Sequence, residues 1–457
     1  MVFSSDSMSF FKDIFQRLKN RDFSGHTGMA VKNSTYQFST NLLSKILSFV
    51  FTIILARILL PELFGLYSLA LSTILVFAAF ADLGFGETLV RFVSRELGKG
   101  NISKAKAYSK YLIKIKIFMM IFVSLILILL SKFIAENYYN QPIRLALLAG
   151  GLYIFLAGFV IIFQSILQAH NLFRPILYRE LLFQIVRLIL IPLVVLFALK
   201  NALNEETILL LIIIIFSLAY FLAACLLYLF VKKKVFSIDI SKKELSRKDK
   251  KKVNKFILLT SFTFLSGVFF GYIDIIMLGY FVSSEYIGYY QVAFSFISAI
   301  IPLITFSGAL LPIFSRLSQN QIRVIFKKTI KIISLISIVS FLFIILASKP
   351  LILLTFGDKY LASVNILRIF SLLLLPVPII TIYSTYFTSL GKPDIVSKSL
   401  VISTIINIIL NYLFISYLID YSPLYALYGA AIATIISRYF YMLLLMFYKR
   451  KNAKMFG

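Results

Sequence analysis

Arginine is rare at the centre of a long apolar run, and this sequence places two there. Arg187 lies in the run Ile176–Leu199 and Arg438 in the run Leu424–Tyr448; at 1.5 Å per helical residue each is roughly 16 Å from the nearer polar end. A guanidinium at that depth in a membrane costs roughly 2.5–3.5 kcal/mol even on lenient scales. It is retained where it meets a water-filled cavity, an opposite charge or an anionic ligand, because neither interface is within easy reach of its stem. Lys45 is shallower, roughly 10 Å inside Phe38–Leu60, and both a cavity role and snorkelling are open to it. Polar residues recur at helical spacing as Asn41, Lys45, Ser48, Thr52; as Thr260, Thr263, Gly267, Gly271, Asp274; as Gln291, Ser295, Ser298; and as Ser399, Ser403, Asn407, Asn411. Such rows share one helix face and either line a common cavity or bind helices together. Among the acids, Asp82 and Glu87 fall close to Arg91, the pattern of an ion-pair cluster or gate at one mouth. Asp274, near the end of its run, either pairs with a cation from another helix or couples an ion. The chemistry on offer is capture of an anion that also carries hydroxyls. Lys45, Arg187 and Arg438 supply the charge, and Asn41, Gln291, Asn407 and Asn411 the hydrogen bonds.

These side chains need elements that cross a bilayer. The 457 residues are 60% hydrophobic and 14% charged, with a mean hydropathy of +0.92. The apolar residues come in runs of about twenty, the length of a spanning helix, and not as the alternating segments of about ten that build a β-barrel. Twelve spans are expected: Phe38–Leu60, Leu63–Phe80, Leu112–Leu130, Ile143–Leu167, Ile176–Leu199, Ile208–Val231, Phe256–Val282, Ile287–Phe314, Ile330–Ala347, Leu367–Leu390, Ile395–Ile419 and Leu424–Tyr448. The fold class is therefore an all-α polytopic membrane protein. Cys225 is the single cysteine, and His26 and His170 are far apart, which argues against a disulfide, a thiolate or histidine metal site, and a nucleophile–histidine arrangement. No GxxxxGK[ST] loop is present for a nucleotide. No cofactor is expected.

The longest polar interruption, Lys232–Lys255, divides the chain in two and contains eleven Lys or Arg residues. It reads as a basic cytoplasmic linker (232–255) between a first lobe (37–231) and a second (256–448), followed by a tail (449–457). Residues 1–36 form a polar leading segment in which Phe10, Phe11, Ile14, Phe15 and Leu18 share a face, as in a helix lying on the membrane surface; a disordered tail is the alternative. The net charge of +28 reflects basic loops rather than nucleic-acid binding, since no folded basic module accompanies it. With the amino terminus inside, the basic clusters around Arg91–Lys110, Arg174 and Arg179, the central run, Arg316–Lys331, Lys392 and Lys398, and Lys449–Lys454 all fall on one side. The positive-inside rule then places both termini in the cytoplasm.

The two halves also repeat. Glu62, Gly65, Tyr67 and Ala70 return at the same spacing as Glu285, Gly288, Tyr290 and Ala293. A weaker echo pairs the approach to Pro175 with that to Pro393. With six spans in each half, the two copies keep one orientation, related by a pseudo-twofold axis along the membrane normal. The stretch Arg57-Ile-Leu-Leu-Pro-Glu-Leu-Phe-Gly-Leu-Tyr-Ser-Leu-Ala, with Ala81-Asp82-Leu-Gly-Phe-Gly86 and Arg91-Phe-Val-Ser-Arg95, resembles the opening of the polysaccharide and oligosaccharide (O-antigen type) flippases. These belong to the multidrug/oligosaccharidyl-lipid/polysaccharide exporter superfamily. The resemblance implies two six-helix lobes in a V around a central cavity. It also implies transport of a polyprenyl-(pyro)phosphate-linked glycan from the cytoplasmic to the outer leaflet of the cell membrane by alternating access. Membrane lipids and glycan-assembly enzymes are then the candidate partners. Arg57, near the outer end of its span where snorkelling is the plainer reading, joins the cavity residues only on that resemblance.

The runner-up is a cation-coupled multidrug antiporter of the same superfamily, which would favour deep carboxylates over deep bases. A membrane glycosyltransferase, polymerase or ligase is a third class, but those need a sizeable external catalytic loop, and every external connection here is short.

Overall fold

The computed structural model describes residues 25–235, 244–305 and 319–455. Among them there is no strand, and eleven helices are long and apolar enough to cross a membrane. The first helix, α1 (Gly25–Asp82), is broken at Leu60, whose φ of 60° and ψ of 172° are not helical. Pro61 explains the break: it lacks an N–H, its ring displaces the preceding turn, and the residue before a proline is pushed out of the α region. Counting the two arms of α1 separately gives the twelve crossings that the sequence leads one to expect. A second break at Leu83 and Gly84, both with positive φ, redirects the chain into α2 (Phe85–Gly98).

The first half continues through α3 (Ile102–Lys132), a π-helical turn at Phe133–Tyr138, α4 (Arg144–Ala169), α5 (Arg174–Lys200) and α6 (Glu205–Lys234). The second half comprises α7 (Arg247–Phe281), α8 (Ser284–Thr305), α9 (Gln319–Thr355), α10 (Ser363–Ser371), α11 (Pro376–Ser389), α12 (Pro393–Leu418) and α13 (Pro423–Met455). Within the first half α4 packs along α6 and α3, and α5 lies against α6 and α1; within the second α12 packs along α13 and α7. The halves meet chiefly where α1 runs against α8 and α7.

Two expected boundaries shift. Residues 25–36 are helical, so the leading segment merges into α1, while its amphipathic stretch Phe10–Leu18 lies outside the described residues. Likewise α7 starts at Arg247, so the basic residues 247–255 are its first turns rather than linker; residues 236–243 lie outside the described ones. Ser246 fixes that start by accepting a hydrogen bond from the Asp249 amide (3.1 Å) with Asp249 in the first turn, a capping arrangement that satisfies an otherwise orphan N–H. The opposite charges at this end come together: Asp249 accepts from Tyr108 (3.1 Å) and pairs with Lys104 (3.2 Å), both on α3.

The repeated turn packs on its own copy. A Cβ on Gly65 would lie 2.6 Å from the carbonyl carbon of Ser284, and one on Gly288 would lie 3.0 Å from that of Pro61. Both glycines are therefore required by close backbone approach. This contact sits at the end of the bundle away from Gly25 and Met455, the first and last described residues (the far end). There Tyr360 also donates to the Ala56 carbonyl (2.8 Å).

Candidate functional site

Arg187 projects from α5 toward the first arm of α1. Its Nη2 donates to Ser48 Oγ (3.0 Å), its guanidinium stacks 4.4 Å from the Phe51 ring centroid and 5.7 Å from that of Phe183, and its buried Nε has no hydrogen-bond partner. Tyr67, Tyr220, Tyr153 and Glu180 lie within electrostatic range. Glu180 is engaged elsewhere, by Arg179 (2.8 Å) and by Gln184 Nε2 (2.7 Å), and Arg179 also donates to Gln164 on α4. Gln184 in turn reaches Ser44 Oγ (3.4 Å). The α5 face 180–187 thus meets the α1 face Ser44–Ser48. At its deep end stands a cation held by a hydroxyl and aromatic faces rather than by a carboxylate. Lys45 and Asn41 share that stripe of α1, and both are exposed.

In the second half Arg438 of α13 lies over the Phe270 ring, 3.6 Å from its centroid. Among the described residues neither Arg187 nor Arg438 forms an ion pair. Asp274, within electrostatic range of Arg438, is instead buried in a shell of neutral donors. Its Oδ1 accepts from Asn411 Nδ2 (2.8 Å), and its Oδ2 accepts from the hydroxyls of Tyr290 (2.6 Å) and Thr434 (2.6 Å). Asn407 Nδ2 donates to Thr434 Oγ1 (3.0 Å), completing a network across α7, α8, α12 and α13. The Oδ1 atoms of Asn407 and Asn411 are buried there without partners.

The expected pairing of Asp274 with a cation is therefore replaced by neutral hydrogen bonds. Asn407 and Asn411 also depart from expectation, being fully buried, with their donors spent inside the second half. The α12 row glues helices: Ser403 donates to the Ser437 carbonyl (2.6 Å) and Thr404 to that of Ser266 (3.3 Å). Gln291 is partly buried, with an unpartnered buried Oε1. Arg57 is not turned to a ligand; its Nε and Nη2 donate to the Thr355 and Leu354 carbonyls (2.6 Å each) at the end of α9.

The cluster expected from Asp82, Glu87 and Arg91 does not form. Asp82 pairs with Lys116 of α3 (2.9 Å), which is almost wholly buried and also donates to the Ala81 carbonyl (2.9 Å). Arg91 and Glu87 are exposed on α2, with Arg91 lying 4.4 Å from the Phe256 ring centroid on α7. Lys116 was legible only as a charge just inside a span. Gln184 and Glu180 stand one and two turns before Arg187 on α5, and that spacing was the available signal for them.

A family model described as polysaccharide biosynthesis protein matches residues 30–318, well over half the chain. The chain belongs to that family. A second model, MatE, matches residues 260–413. The family places the chain among the transporters of the superfamily named above, and its helices make it a multi-pass membrane protein. Over 433 residues it is 24% identical to an uncharacterized membrane protein of Methanocaldococcus jannaschii, covering 90% of this chain and 82% of that one. Its fold is similar to that of the lipid II flippase MurJ in an inward closed conformation, at a TM-score of 0.70 and 19% identity, covering 91% of this chain and 87% of that one. It is also similar to an inward-facing multidrug resistance MATE family transporter, at a TM-score of 0.66 and 12% identity, with 90% and 96% coverage. For this family member the likeness establishes the fold shared by flippase and drug exporter, and the site has to distinguish them.

Proposed function

We propose that this family member flips a polyprenyl-phosphate- or pyrophosphate-linked oligosaccharide from the cytoplasmic to the outer leaflet by alternating access. The observation that carries the reading is the pair of guanidiniums, one in each half, that stand inside apolar helices and, among the described residues, form no ion pair with a carboxylate. Burying a charge without a counter-charge is costly, so such groups fit a ligand that arrives as an anion. Arg187 offers an unused Nε beside tyrosine hydroxyls, which suits a phosphate bearing sugars. The rival capture of cationic drugs finds two of its candidate carboxylates already paired with cations, Asp82 with Lys116 and Glu180 with Arg179.

With both termini cytoplasmic, as the charge asymmetry supports, an inside-negative potential favours outward movement of the headgroup by about 2.3 kcal/mol per charge per 100 mV. A monovalent cation is the proposed co-substrate at Asp274. Among the described residues the carboxylate has no ion-paired cation, and the unpartnered Oδ1 atoms of Asn407 and Asn411 add oxygen ligands in the same network. Membrane lipids and glycan-assembly enzymes remain the proposed partners.

The test is a reconstituted flipping assay with a defined lipid-linked sugar. Arg187→Ala or Arg438→Ala is expected to lower flipping at least tenfold with insertion unchanged. Arg187→Lys, which keeps the charge but loses the planar fork, should fall between. Wild-type flipping by both alanine variants would remove the site assignment.

A further inference from the structure

The far-end contact between the halves carries a role that neither the sequence motifs nor the relatives assign. Resting on the alternating-access reading above, we propose that Arg57, Leu60, Gly65 and Gly288 form a sprung lock that holds the far end shut. Three observations meet at this spot. The first is reciprocal: Gly65 on the second arm of α1 takes the backbone of Ser284, and Gly288 on α8 takes that of Pro61, with no room for a Cβ on either side. The Gly65 position also closes on the Gly288 amide nitrogen, 2.9 Å from where a Cβ would stand. At these two positions helices of different halves meet backbone to backbone, so the closed arrangement there leaves little room for adjustment.

The second observation is the clamp. Arg57 spans from the first half to the second and satisfies the Leu354 and Thr355 carbonyls at the C-terminal end of α9 (2.6 Å each). Those carbonyls have no partner within their helix and carry the negative end of its dipole, which a guanidinium complements. The resemblance assigns Arg57 to the substrate; the geometry assigns it to the closure. The third is the hinge. Leu60 holds φ 60° and ψ 172°, a conformation native to glycine, one residue before the proline whose carbonyl Gly288 covers. A non-glycine residue stays there only while its surroundings hold it. The packed glycines and the Arg57 clamp supply that hold, and opening the far end lets Leu60 relax. The lock therefore favours its own release once the clamp is loosened, and it sets the balance between the two faces without touching substrate.

The experiment uses the full chain in lipid nanodiscs, with Cys225→Ser as background and spin labels at Leu203→Cys and Tyr421→Cys, in far-end loops of the two halves. Double electron–electron resonance reads the separation. Gly65→Ala and Gly288→Ala force a methyl group into the contact and are expected to shift the distribution toward longer distances. Arg57→Gln adds no bulk and is expected to shift it the same way, which keeps the proposal testable if the alanine variants do not fold. Leu60→Gly removes the strain and is expected to narrow the distribution onto the short distance. A parental distribution in Arg57→Gln and in whichever glycine variant folds overturns the lock. The measurement contains no substrate, so its outcome is independent of the flipping assay on the Arg187 and Arg438 variants.

Discussion

At the level of single residues, the two halves use pseudo-equivalent positions for opposite charges. Tyr67 and Tyr290 occupy the same place in the repeated turn, yet Tyr67 lies in the field of the Arg187 guanidinium while Tyr290 donates to the Asp274 carboxylate. The same position of the repeat thus neighbours a cation in the first half and a carboxylate in the second. Asp274 also holds the second half together. Asp274→Ala strands the Tyr290, Thr434 and Asn411 donors, at a cost of about 1–3 kcal/mol for each buried group left unsatisfied. Thermal unfolding of the detergent-solubilised protein should show a lower midpoint for this variant than for Asp274→Asn, which keeps the volume. Asp274→Asn should in addition remove any dependence of flipping on the monovalent cation gradient. Retained cation dependence would exclude this carboxylate from coupling.

At the level of elements, the joints between helices are where charge is spent. The turn from α1 into α2 exposes the last carbonyls of α1, and Lys116 answers them from α3 by reaching both Ala81 O and Asp82. Lys116→Met leaves the Asp82 charge at this joint without its counter-ion, a loss of about 3–5 kcal/mol by the usual penalty for breaking a buried pair. Lys116→Met combined with Asp82→Leu should recover much of it in the same unfolding measurement. The joint between α3 and the start of α7 lies among the basic residues 247–255, beyond the apolar span, and is governed by pH. Burial raises the Asp249 pKa, but hydrogen bonds from Ser246, Lys104 and Tyr108 and the Lys104 charge outweigh it, so the net shift is downward. A carboxylate depressed on folding adds stability that is in place above its unfolded pKa, about 3.9, and disappears as pH falls through the folded value. The protection factors of the amides in the first turns of α7 should therefore stay high from neutral pH down to about 4 and fall below it. Asp249→Asn should show low protection throughout, and pH-independent protection in the parent protein would contradict the assignment.

At the level of the whole molecule, the basic helix ends at 91–110 and 247–255 lie at the end that carries the described chain ends Gly25 and Met455, and the repeated turns close the other. Reporter fusions at the amino and carboxyl termini should both report cytoplasm, while a tag in the loop at 201–204 should be reached from outside intact cells. Labelling of that loop only after permeabilisation would invert the orientation and, with it, the direction of flipping. The asymmetry of the two closures follows from their chemistry. The far end is shut by backbone packing at Gly65 and Gly288, whereas the α2 and α3 contacts to α7 rest on Arg91 over Phe256 and on Asp249 with its partners, which are exposed enough to respond to salt and pH.

Much of this was legible in the chain itself. Runs of twenty apolar residues dictate helices, because lipid offers no partner for unpaired peptide groups. The depth of Arg187 and Arg438 follows from helical rise alone, and the recurrence of Glu62, Gly65, Tyr67 and Ala70 marks the two turns as copies. Which neighbour each polar group finds is a different kind of fact. A stripe such as Ser399, Ser403, Asn407, Asn411 has the same periodicity whether it faces a cavity or another helix, and only the packing of α12 on α13 and α7 spent its donors. Asp82 turned from Arg91 to Lys116 because the break at Leu83 and Gly84 swings α2 away from the end of α1. Sequence fixes which groups are costly to bury; the fold decides what each is buried against, because hydrogen bonds and ion pairs between distant segments depend on ångström-scale distances that no local spacing encodes.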